Sequence, residues 1–99
     1  MTEVMRIQTG VRMEVRLLKV LKALAEYKDL SLGDLLEGIC LHAFEGRAPF
    51  SAETIAKISD LRRVYGLGLV AADSHRLVEA TPVRRARPLA GRKRPRSSS

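Results

Sequence analysis

Ninety-nine residues, 45% apolar and 29% charged, with four aromatics and one cysteine, are enough for one small domain and leave little room for a large catalytic cleft. No apolar run approaches the roughly 18 to 20 residues that cross a bilayer, and a single cysteine cannot build an internal disulfide framework. Eighteen bases against eleven acids give +7, but seven of the bases lie beyond Ala80, where no acid occurs, so the first eighty residues are neutral. Within them Arg6 to Lys28 holds six bases against two acids, and Asp29 to Glu79 holds five against eight. The chain therefore runs basic, acidic, basic, which favours a polyanionic partner for its ends. The opening Met1-Thr2-Glu3-Val4-Met5-Arg6 lacks the basic-then-apolar layout of a secretory leader, so a cytoplasmic protein is expected.

The segment Arg6-Ile7-Gln8-Thr9-Gly10-Val11-Arg12-Met13 alternates polar or glycine positions with Ile, Thr, Val and Met, the period of a β-strand. A lone strand leaves its amides and carbonyls unpaired, and no second segment of this kind follows. The expected partner is the same segment of a second copy, paired antiparallel about a two-fold axis.

Helical spacing begins at Glu14. Val15, Leu17, Leu18, Val20, Leu21, Leu24 and Ala25 form an apolar stripe to Tyr27, opposite Arg16, Lys19, Lys22 and Glu26. After a short turn, Ser31 stands three residues before Asp34 in a capping arrangement. A second helix is expected over about Leu32 to Glu45, with the stripe Leu32, Leu35, Leu36, Ile39, Cys40, Ala43, Phe44, and Gly46 closes it. Ser51 caps a third helix with Ile55, Ile58, Leu61, Val64 and Tyr65 inward, ended by Gly66-Leu67-Gly68. One short helix is expected within Ala71 to Val78. Residues 82 to 99 combine three prolines, seven bases and a terminal Ser-Ser-Ser with only Val83 and Leu89 as sizeable apolar groups, the composition of a disordered tail.

A two-stranded ribbon fits the major groove of duplex DNA, where Arg pairs in fork geometry with guanine and Gln with adenine. Here its outward side chains are those of Arg6, Gln8, Gly10 and Arg12. The start of the second helix, Ser31 and Leu32 with nearby Lys28, offers amides and a cation to a phosphate. In this layout of alternating strand, amphipathic helix, tight turn and Ser31-Leu32-Gly33-Asp34-Leu35-Leu36, residues 6 to 45 resemble the ribbon-helix-helix DNA-binding family of the MetJ/Arc class. The resemblance implies a mainly α fold with one short N-terminal strand, an intertwined homodimer, and a transcriptional repressor or antitoxin-like regulator at the nucleoid. The base-reading positions carried over are Gln8, Gly10 and Arg12, with Arg6 at the ribbon edge.

The expected organisation is thus a DNA-binding domain over residues 1 to 46, a helical extension over 47 to 80 that packs or binds a protein partner, and a basic tail over 81 to 99. In the tail, Arg84, Arg85, Arg87, Arg92, Lys93, Arg94 and Arg96 suit sequence-independent phosphate contact with steep salt dependence. Cys40, His42 and His75 do not make a four-ligand metal site, and Cys40 reads as a small buried apolar group. No nucleophile–base pair can be assembled around two histidines, so neither catalysis nor a cofactor is expected. The competing reading is a small helical dimerisation or protein-interaction module with a non-specific basic tail.

Overall fold

The apolar spacing after Glu14 winds into α1, Val15–Tyr27, whose inner face buries Val20, Leu24 and Ala25. Glu14 starts it, its carboxylate accepting the Leu17 amide at 2.8 Å. Ser31 caps α2, Leu32–Phe44, by accepting the Asp34 amide at 3.1 Å, and Ser51 caps α3, Ala52–Tyr65, by accepting the Thr54 amide at 3.2 Å. The structure, a computed structural model, describes residues 2–80. Besides these helices, the regular structure among them is a 3-10 turn, Ala71–Asp73. That turn stands where one short helix was expected within Ala71 to Val78.

All three helices end in the same way. Beyond the last turn one residue takes a left-handed backbone, Asp29 at φ 61°, Gly46 at φ 70° and Gly66 at φ 67°, and the following amide reaches back into the helix. Leu30 donates to the Ala25 carbonyl at 2.9 Å, Arg47 to His42 at 2.8 Å and Leu67 to Arg62 at 2.9 Å. These bonds satisfy carbonyls that the helix ends would otherwise leave unpaired.

Residues Met13–Leu69 form one compact unit. α1 is its central element, packed most closely on α3 and less closely on α2. The α1 and α3 axes are antiparallel. Arg16 near the start of α1 donates to the Gly66 carbonyl at the end of α3, and Lys28 after α1 reaches the Thr54 hydroxyl at the start of α3. Leu24, Ala25 and Leu35 make the core, with Leu21, Ile39, Phe50, Ile58 and Leu61 packed around them. Leu24 is the one large side chain reduced to 1% exposure among the described residues, and its burial contributes about 2 to 3 kcal/mol. Thr54 is a buried polar residue there; its amide and its hydroxyl both meet Ser51.

The described parts of a second unit are residues 2–12 and 70–80. In it the Val70 amide donates to the Asp73 carboxylate at 2.8 Å, and the guanidinium of Arg12 pairs with the carboxylate of Glu79.

The expected N-terminal strand is absent, and with it the two-stranded ribbon and the ribbon-helix-helix architecture. Among the described residues there is no strand at all, and residues 2–12 have no regular secondary structure. Ile7 is 87% exposed, and Val11 is exposed too, so the alternation meets no apolar surface. Alternating side chains only make a strand possible; the strand itself is held by hydrogen bonds to a neighbour, and no described segment supplies them. The class is mainly helical.

Candidate functional site

The four residues proposed to read bases belong to no strand. Arg6, Gln8, Gly10 and Arg12 lie along the irregular segment 2–12, exposed, and Gly10 has open space where a side chain would stand. Arg12 is engaged by Glu79, so its guanidinium already faces a carboxylate.

The proposed phosphate positions are only partly gathered. Ser31 and the half-buried Leu32 do begin α2, as the capping pattern requires. Lys28, at the end of α1, sends its ammonium toward the Thr54 hydroxyl at 3.5 Å, on α3. Asp34 sits in the first turn of α2, and its carboxylate complements the positive end of the helix itself. The seven tail bases, Arg84, Arg85, Arg87, Arg92, Lys93, Arg94 and Arg96, lie outside the described residues.

No metal-binding cluster of three or more His, Cys, Asp or Glu occurs among the described residues, and no helix there is long and apolar enough to cross a membrane. Cys40 is exposed, not buried as its place in the apolar stripe suggests. His42 is turned back on its own helix, with Nδ1 at 2.7 Å from the Gly38 carbonyl. The acidity of Glu14 is shifted. The Leu17 amide, and then the Arg16 guanidinium at 2.9 Å, hold its carboxyl below the ordinary carboxylate value.

What the sequence reading missed is a face of α2. Leu35 is buried and Leu32, Leu36, Ile39 and His42 are half-buried, which fixes the inner side of the helix. Asp34, Glu37, Leu41 and Phe44 recur at three- and four-residue intervals and all lie outward. Leu41 is 64% exposed and Phe44 83% exposed. Two large apolar side chains one turn apart thus face solvent, beside exposed Cys40. The available signal was the width of the predicted stripe. With Leu41, which stands outside that stripe, eight apolar positions from Leu32 to Phe44 cover more of the helix circumference than one packing face of about 100° can bury.

No family model, curated protein or solved structure matches the chain. The functional reading therefore rests on these residues alone.

Proposed function

We propose that this chain is a non-catalytic helical interaction module. Its three-helix body works by association through an apolar surface, and its basic C-terminal segment holds the protein on a polyanion such as duplex DNA. The observation that carries the reading is the exposed Leu41–Phe44 pair closing α2. An exposed aromatic and leucine on one rigid helix turn suit protein docking, since each is anchored by backbone that the core already fixes.

The DNA part rests on charge. Within residues 1 to 80 bases and acids balance, eleven each, so the whole excess of +7 falls on Arg84 to Arg96. A run of that kind binds phosphates through counterion release, with little choice of sequence.

The test is a mobility shift with two duplexes of unrelated sequence at low and moderate salt, using the full chain and a chain ending at Ala80. The expected result is equal retention of both duplexes by the full chain, weakened by salt, and none by the shortened one. Sequence-selective binding that survives removal of the tail would overturn the reading.

A further inference from the structure

We draw no further inference here: the strongest candidate, the exposed Leu41–Phe44 pair on the outward face of α2, already carries the proposed association, and nothing in the structure shows what covers it.

Discussion

The Leu30 amide donates to the Ala25 carbonyl at 2.9 Å, and closing that bond sets the residue before Leu30, Asp29, at φ 61°. Gly46 and Gly66 hold the equivalent positions after α2 and α3. A side chain in this left-handed region costs about 1 kcal/mol even for Asp, and its charge stands at the negative end of α1. Asp29→Gly removes both penalties and gives back part of the gain as unfolded-chain entropy. The expected net effect is a stabilisation of about 0.5 to 1 kcal/mol, or a rise of about 3 to 6 °C in Tm. Thermal and urea melts of the full chain check it, and Asp29→Ala, which retains a Cβ at the same φ, should give no such gain.

The helices were legible because their sequence signals act locally. Ser31 and Ser51 reach amides three residues ahead, and Gly46 and Gly66 supply the backbone freedom at the ends, so each boundary was written within a few residues of where it falls. Glu14 and Asp29 perform the same two tasks for α1 with less usual residues. Residues 6 to 13 misled for the opposite reason. Their alternation is a local pattern, but a strand depends on a distant partner that the pattern cannot specify. The docking face was hidden by the same reliance on composition. Cys40, Leu41 and Phe44 have core-type side chains, and only the packing of α1 against the other side of α2 reveals that they remain outside.

The Glu14 cap makes α1 sensitive to acid. Its carboxyl is held below the ordinary value, first by the Leu17 amide and then by Arg16, because both favour the charged form. A carboxylate lowered on folding contributes stability that is complete above its unfolded value and disappears as pH falls through the folded one. The first turn of α1 should therefore fray in acid before the rest of the helix. Amide exchange at Val15 to Leu18 across the carboxylate range checks this, and Glu14→Gln should flatten the dependence while leaving α2 and α3 unaffected.

Leu24 should be the costliest single side chain to shorten. It is the centre of the small core formed with Ala25 and Leu35, and α1 is the helix against which both others pack. Leu24→Ala is expected to destabilise the chain by about 3 to 4 kcal/mol, a large share of what a domain of this size possesses. Leu41→Ala, on the exposed side of α2, should change stability by less than about 0.5 kcal/mol. Denaturant titrations of the two variants separate the core from the docking face.

Arg12 and the tail bases make opposite predictions for DNA. Arg12 pairs with Glu79, and both side chains are largely exposed, at 70% and 68%, so the pair adds little stability and offers no preorganised reader. Arg12→Ala should leave duplex affinity within about twofold and stability within about 0.5 kcal/mol of the parent. Removing residues 84 to 99 takes away seven bases. If each neutralises one phosphate, the slope of log affinity against log salt should fall by up to about 6, with unrelated duplexes affected alike. Fluorescence anisotropy over a salt series measures both quantities. A steep slope that survives the truncation would place the phosphate contacts on the helical body, where Arg16, Lys19 and Lys22 follow one another at three-residue steps along α1.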